Sequence, residues 1–212
     1  MRLPGLYAVL DDEVARREGW GLAPLAGVLF AEGVRFVQIR AKTLPSGDLL
    51  RQVEAVLRAG EPYDAIVVVN DRPDVACIAG AAGVHVGQDD LPPSAARRIV
   101  GDAALVGVST HTPAQIAAAA GEPVTYIAIG PVFGTRTKDT GYDPVGPEMV
   151  ARAAEAGRPV VAIGGITLDR APAVFAAGAT SVAVITDLFT GGDPAARARA
   201  WLARLRDAGA GL

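Results

Sequence analysis

The sequence predicts an α/β protein that folds as a single-domain (β/α)8 TIM barrel over residues 1–212, and three observations lead to this prediction. Short apolar segments alternate with amphipathic helical segments along the chain, and parallel neighbouring strands require such crossover connections. We count eight apolar segments, the number of strands in this closed barrel. Polar residues repeatedly follow these segments, at the edge where barrel enzymes keep their active sites.

The predicted strands are short and rich in β-branched residues, as buried strands of a parallel sheet are. They cover residues 6–10, 34–39, 65–70, 83–86, 104–108, 124–129, 160–163 and 181–185. Between them apolar residues recur at helical spacing, for example at Leu22, Leu25 and Leu29. Thr112 and Asp193, each followed by proline, are predicted helix starts. An open, doubly wound sheet is the competing fold, and the lack of a G-x-G-x-x-G motif after the first strand disfavours it.

Composition restricts the classes of function. Hydrophobic residues make up 50% of the chain, enough for a large core, and the formal net charge is −3 without a basic stripe, which argues against nucleic acid as a ligand. We find no signal peptide and no apolar run long enough to span a bilayer, so a cytoplasmic protein is expected. The single cysteine, Cys77, is expected to be a small buried hydrophobe.

Chemistry-bearing residues lie directly after the predicted strands. In chain order they are Gln38, Arg40, Lys42, Asn70, Asp71, Asp90, Ser109, Thr135, Thr137, Lys138, Gly164, Ile185 and Thr186. Because the carboxyl ends of all strands of a β/α barrel meet at one face, we expect these residues to surround a common site.

The last two predicted strands carry the signal of a phosphate site. Gly164 is followed by a second glycine, and Ile185-Thr186 ends the eighth strand. Glycines let backbone N–H groups approach a phosphate, and a helix N-terminus adds positive potential. The loop with Thr135, Thr137 and the lysine that follows offers further donors to an oxyanion. A tight strand-to-helix turn is the alternative explanation for the glycines.

A second set of residues predicts a site for magnesium and pyrophosphate. Asp71 and Asp90 follow neighbouring strands, and paired carboxylates beside cations suggest Mg²⁺ held jointly by protein and substrate phosphates. Asp71 alone would be explained as a helix N-cap. Arg40, Lys42 and Lys138 supply the positive charge that a pyrophosphate needs.

Seven motifs in chain order resemble the thiamine-phosphate synthase family over nearly the whole chain. They are Gln-Ile-Arg-Ala-Lys at 38–42, Asn-Asp-Arg-Pro-Asp at 70–74, Gly-Val-His-Val-Gly-Gln-Asp-Asp at 83–90, Gly-Val-Ser-Thr-His-Thr at 107–112, Ile-Gly-Pro-Val-Phe-Gly-Thr-Arg-Thr-Lys at 129–138, Ala-Ile-Gly-Gly-Ile at 162–166 and Val-Ala-Val-Ile-Thr at 182–186.

The resemblance implies a transferase that joins hydroxymethylpyrimidine pyrophosphate to thiazole phosphate or its 2-carboxy form. The products would be thiamine phosphate, pyrophosphate and, from the carboxy form, CO2. It implies that Gln38, Arg40, Lys42, Asn70, Ser109 and Lys138 contact the pyrimidine pyrophosphate, that Asp71 and Asp90 bind Mg²⁺, and that Thr135, Thr137, Gly164, Ile185 and Thr186 hold the thiazole phosphate. It also suggests a homodimer.

The expected mechanism is a dissociative substitution without a covalent enzyme intermediate. The thiazole nitrogen already carries a lone pair, so the reaction needs no general base. The task of the protein is to align two substrates and stabilise the leaving pyrophosphate, for which Arg40, Lys42, Ser109 and Lys138 are suited.

Some positions depart from the family pattern, and some roles stay open. Thr186 stands where the family often has serine, and residues 140–145 differ from the proline-rich segment expected there. His85 and His111 fit no catalytic triad or metal spacing and are expected to be structural or supporting. Alternatives are a related thiazole tautomerase, disfavoured by Pro131 at the position inspected for its histidine, another phosphate-binding barrel, and a non-catalytic sensor of thiamine intermediates.

Overall fold

Eight parallel strands close into a barrel in the computed structural model, which describes residues 3–135 and 141–207. The strands are β1 (Leu6–Asp11), β2 (Phe36–Arg40), β3 (Ile66–Asn70), β4 (Gly83–Val86), β5 (Leu105–Thr110), β6 (Tyr126–Ile129), β7 (Val160–Ile163) and β8 (Ser181–Val184). They are paired in chain order, and β1 closes the barrel by pairing with β8. The predicted (β/α)8 fold is therefore confirmed, whereas the domain bounds 1–212 stay a prediction.

Helices connect the strands on the outside of the barrel. They are α1 (Asp12–Arg17), α2 (Leu22–Ala31), α3 (Ser46–Gly60), α4 (Pro73–Ala79), α5 (Pro93–Val100), α6 (Pro113–Ala120), α7 (Gly146–Ala154), α8 (Ala171–Ala176) and α9 (Pro194–Asp207), with short 3-10 turns at Glu61–Tyr63 and Thr186–Phe189. Thr112 and Asp193 cap α6 and α9 as predicted, since their side-chain oxygens accept hydrogen bonds from Gln115 N and Ala195 N. In the part of the chain that the structure describes, no helix is both long and apolar enough to cross a membrane.

The core has two layers because successive strand residues point to opposite faces. Residues such as Leu6, Ala8 and Leu10 of β1 face outward and pack against the helices. Their neighbours Tyr7 and Val9 belong to a separate cluster inside the barrel. The barrel interior is therefore a packed core, and only its carboxyl end is available for a site.

A glycine makes room for a tyrosine ring inside the barrel. A Cβ atom at Gly107 in β5 would lie 2.1 Å from Cζ of Tyr126, which is fully buried on the neighbouring strand. Only a residue without a side chain therefore fits opposite this tyrosine.

The prediction for Cys77 was wrong. This residue is exposed on α4, whereas the preceding residues Val75 and Ala76 are buried. In a helix of only seven residues, one buried stripe leaves the remaining positions in solvent, and the sequence does not mark which stripe is buried.

Candidate active site

A cavity of about 630 Å³ opens at the carboxyl end of the barrel. Its walls come mainly from the ends of β5 to β8 and the loops that follow them. Five of the predicted site residues line it: Ser109, Thr135, Gly164, Ile185 and Thr186. The predicted residues Thr137 and Lys138 lie outside the described residues. The structure thus brings together the described residues that were predicted to bind the thiazole phosphate.

The glycine after β7 is required by close backbone contact. Gly164 has φ +100°, and a Cβ atom there would lie 2.5 Å from Cα of Pro131. The loop after β6 is held against it by hydrogen bonds from Val132 N to the Ile163 carbonyl (2.8 Å) and from Phe133 N to the Gly164 carbonyl (3.0 Å). The glycine therefore brings the loops after β6 and β7 together to form one wall of the cavity.

A partly buried ion pair fixes the wall that follows β8. Asp187, directly after Thr186, accepts hydrogen bonds from Arg197 NH2 (2.7 Å) and from Trp201 Nε1 (2.6 Å). Both donors belong to α9, and Trp201 is fully buried. The last helix thereby holds the loop with Ile185 and Thr186 in place. This contact was not predicted, and its only local sign is the position of an acidic residue beside Thr186.

The predicted magnesium residues meet on the other side of the carboxyl face. Asp71 lies at φ +63°, a backbone conformation uncommon for residues other than glycine, and its N–H donates to the His85 carbonyl at 2.7 Å. Asp90 accepts a hydrogen bond from Gly87 N at 2.8 Å, and its carboxyl group lies beside that of Asp71. Burial raises the pKa of Asp90 above its ordinary value, and the neighbouring Asp71 raises it further.

The donor set at this place fits Mg²⁺. Two carboxyl groups in contact supply hard oxygen ligands, and Mg²⁺ is typically held by one or two carboxylates together with water and substrate phosphates. Within residues 3–135 and 141–207 no group of three or more His, Cys, Asp or Glu side chains could hold a metal by itself. The remaining ligands would thus have to come from solvent or substrate.

Cations accompany the two carboxylates. Lys42 Nζ lies 3.0 Å from Asp71 Oδ2, and the lysine side chain is about half exposed. Arg40 pairs through NH1 with Asp11 Oδ2, in register on the neighbouring strand β1. Asp11 is only 5% exposed and also caps α1 by accepting from Val14 N at 3.0 Å. Its role beside Arg40 was not predicted, although it is an acidic residue at the end of a strand.

These residues form a cluster separate from the cavity. Of the described residues, the cavity lining takes in Ser109 and the loops after β6, β7 and β8, but not Gln38, Arg40, Lys42, Asn70, Asp71 or Asp90. Asn70 lies in register with His85 on β4, and His85 Nε2 is 2.9 Å from Ser109 Oγ. Ser109 therefore lies between the two parts of the carboxyl face.

Two arginines at the cavity were missed. Arg17, at the end of α1, and Arg170, before α8, both line it. Arg170 NH1 donates to the Gly165 carbonyl at 2.8 Å, and its guanidinium lies 4.9 Å from the ring centre of Phe133. Both residues lie beyond the first turn after a strand. The prediction considered only residues directly after each strand and therefore did not include them.

The segment that departs from the family pattern contacts the site through an aromatic pair. Tyr142 stacks on His111 with ring centres 4.1 Å apart, and its hydroxyl accepts from Gln115 Nε2 at 3.2 Å. His111 itself lines the cavity. Of the departing segment, Thr140 lies outside the described residues.

The fold and the position of the cavity are those of a β/α-barrel enzyme with its active site at the carboxyl face. A family model described as "Thiamine monophosphate synthase" matches residues 6–188, and the chain belongs to this family. The resemblance found in the sequence and the predicted enzyme class, a transferase, are confirmed.

The chain matches one curated relative over almost its full length and another over about a third of it. The chain is 42% identical over 206 residues to thiamine-phosphate synthase from Koribacter versatilis, covering 95% of this chain and 96% of that protein. It is 45% identical over 177 residues to the bifunctional protein ThiM/ThiE of Symbiobacterium thermophilum, but spans only 37% of its length. The solved thiamine phosphate pyrophosphorylase from Pyrococcus furiosus superimposes with a TM-score of 0.86 at 26% identity, with 96% of each chain covered.

Proposed function

We propose that this protein is a thiamine-phosphate synthase that joins hydroxymethylpyrimidine pyrophosphate to thiazole phosphate. The observation that carries the proposal is the match to full-length thiamine-phosphate synthases in a chain whose carboxyl face has two polar regions, one on each side of Ser109. A reaction between two anionic substrates needs two such regions side by side.

The cavity would bind the thiazole phosphate. Thr135 and Thr186 offer hydroxyl donors, and the glycine at position 164 removes the side chain that would fill the space beside Pro131. Thr137 would contribute a further hydroxyl. Threonine in place of the serine expected at position 186 retains the donor, so phosphate binding is compatible with this departure.

The acidic and cationic cluster would bind the pyrophosphate of the pyrimidine substrate. Asp71 and Asp90 would hold Mg²⁺, which when bound neutralises charge on the pyrophosphate. Arg40, Lys42 and Lys138 would supply positive charge, and Gln38, Asn70 and Ser109 would contact the pyrimidine substrate. The ion pair with the buried Asp11 would keep the Arg40 guanidinium in one orientation.

In the proposed reaction the bond between the pyrimidine methylene carbon and the pyrophosphate oxygen breaks first. The electron pair leaves with the pyrophosphate, whose charge Lys42, Arg40 and the Ser109 hydroxyl stabilise. The thiazole nitrogen then forms the new bond with its own lone pair, so the protein need not remove a proton. The chain's contribution is to align the two substrates and to stabilise the leaving group.

Substrate kinetics on two variants test this assignment. Thr186→Val should raise KM for thiazole phosphate by about tenfold and leave KM for the pyrimidine pyrophosphate nearly unchanged, because it removes one donor to one phosphate. Lys42→Met should raise KM for the pyrimidine pyrophosphate and leave KM for thiazole phosphate nearly unchanged. Equal effects of both variants on both substrates would contradict the division of the face into two anion sites.

A further inference from the structure

Five polar side chains from five strands form one continuous hydrogen-bonded chain across the barrel interior, which we term the interior polar chain. It runs from Gln38 Nε2 to Tyr7 Oη (3.0 Å), on to Tyr126 Oη (3.0 Å), to His85 Nδ1 (3.0 Å), and from His85 Nε2 to Ser109 Oγ (2.9 Å). Gln38, Tyr7, Tyr126 and His85 are each buried. The interior polar chain therefore joins the middle of β2 to a residue of the cavity wall.

The first member of the interior polar chain determines the direction of the others. An amide nitrogen can only donate, so the Tyr7 oxygen accepts from Gln38. Tyr126 Oη, 3.0 Å away, is then the acceptor that the chain offers to the Tyr7 O–H, and we infer this direction. With its oxygen accepting from Tyr7, Tyr126 would in turn donate to His85 Nδ1. In the neutral ring the proton then lies on Nε2, which donates to Ser109 Oγ.

Burial and packing keep the hydroxyl groups of the two tyrosines protonated and in place, which maintains the direction of the hydrogen bonds. Burial raises the pKa of both Tyr7 and Tyr126 well above the ordinary tyrosine value, so both hydroxyls keep their protons at neutral pH. The Tyr7 ring stacks on Phe36 with centres 3.7 Å apart, and the Tyr126 ring fills the space opposite Gly107. The rings cannot swing to other partners without disturbing this packing.

We propose that the interior polar chain fixes Ser109 as a hydrogen-bond donor to the anionic substrate, with His85 as the positioning residue that sets it. Because Ser109 Oγ accepts from His85, its own proton is directed into the cavity. In the reverse direction Ser109 would donate to His85 and present only lone pairs, which an anion repels. The part of this inference that concerns the substrate rests on the proposed function.

Nuclear magnetic resonance of ¹⁵N-labelled histidine tests the direction without any substrate. The sequence contains only two histidines, His85 and His111, so their signals can be assigned with one variant. At a pH well above the ordinary histidine pKa, His85 should be protonated on Nε2 and unprotonated on Nδ1. Finding the proton on Nδ1 would overturn the proposal whether or not the protein is a synthase.

Tyr126→Phe removes the middle of the interior polar chain, and the tautomer preference of His85 should then be lost. Tyr142→Phe is the matched control, because it removes a tyrosine hydroxyl beside the other histidine and should leave the His85 signals unchanged. If Tyr126→Phe does not fold, Gln38→Met removes the donor that sets the direction and should also give a mixture of tautomers. An unchanged Nε2 tautomer in the folded variant would overturn the proposal.

Measurements of kcat on variants of Ser109 and Tyr126 test whether the His85 tautomer matters for catalysis. Ser109→Ala should lower kcat about a hundredfold, as removal of one donor to a developing anion does, and Tyr126→Phe about tenfold. The double variant should be no slower than Ser109→Ala, since both changes remove the same donated proton. Fully additive losses would contradict the positioning role. An inactive wild-type protein with the expected tautomer would instead count against the proposed function alone.

Discussion

Lys42 Nζ lies 3.0 Å from Asp71 Oδ2, and the carboxyl group of Asp71 lies beside that of Asp90, whose pKa it helps to raise. One lysine therefore faces two carboxyl groups that repel each other when both are charged. A cation that binds the two carboxylates would release Lys42 toward the pyrophosphate. This arrangement links the metal, the lysine and the leaving group in the proposed reaction.

Lys42→Met should lower kcat/KM for the pyrimidine pyrophosphate by at least about tenfold, because it removes a point charge from the leaving group. Steady-state kinetics with the thiazole substrate at saturation would measure the effect. Arg51→Met is the matched control, since Arg51 pairs with Asp48 on the exposed face of α3. A Lys42→Met enzyme with unchanged kcat/KM would show that this lysine does not act on the pyrophosphate.

Asp90→Asn should make the metal-free protein more stable at neutral pH while abolishing its stabilisation by Mg²⁺. The pKa of Asp90 is raised in the folded state, so for this group stability falls as pH rises from the ordinary aspartate pKa through the raised value. Asparagine carries no charge and therefore removes the destabilisation that an ionised Asp90 causes in the folded protein. Thermal unfolding at neutral pH, with chelator and with Mg²⁺, measures both effects.

Asp74→Asn is a control for which the expected change in stability has the opposite sign. The hydrogen bond from Arg72 lowers the pKa of Asp74, so its charge stabilises the fold above the ordinary aspartate pKa, and its loss should lower Tm slightly. A fall in Tm for Asp90→Asn, or equal Mg²⁺ stabilisation of wild type and variant, would contradict the assignment of Asp90.

Asp11→Asn should lower kcat/KM about tenfold by releasing the Arg40 guanidinium, while asparagine can still cap α1. In an Arg40→Met background the same change should have little further effect. Asp12→Asn is the control, because neighbouring Asp12 is also buried and ion-paired but contacts Arg16 on α1. A similar loss from Asp12→Asn would indicate general destabilisation of this region.

Gly107→Ala should destabilise the fold by about 2 kcal/mol or more, because its methyl group would overlap the Tyr126 ring. Gly27→Ala is a useful contrast, since Gly27 lies inside α2 with open space around its Cβ position and should gain about 0.5–1 kcal/mol. Urea unfolding of both variants measures the difference. A Gly107→Ala protein as stable as wild type would mean that the interior can repack around this strand pair.

The barrel could be predicted from the sequence because the alternation of strands and helices is a local pattern of apolar residues. Such a pattern can be recognised without knowing how the chain folds. Predicted strand starts differ from the observed ones by no more than about two residues, as for β2, which begins at Phe36 and not at residue 34. Of the positions directly after the predicted strands, Ser109, Gly164 and Thr186 line the cavity, whereas their roles in binding stay predictions.

The contacts that were missed depend on closure of the barrel. Tyr7 and Tyr126 are 119 residues apart and meet only because their side chains point to the same interior. The pairing of Asp11 with Arg40 requires the register between β1 and β2. Arg170 reaches the cavity across a turn. Such relationships arise from three-dimensional placement, and no local pattern in a single sequence encodes them.

The most direct test of the central claim is an assay of the purified protein with both substrates, with each substrate alone, and with both plus a chelator. Thiamine phosphate would be measured as fluorescent thiochrome and pyrophosphate by an independent coupled assay. The proposal predicts equal amounts of the two products, formed only when both substrates and Mg²⁺ are present. Pyrophosphate release without thiamine phosphate, or no product from both substrates with Mg²⁺, would contradict it.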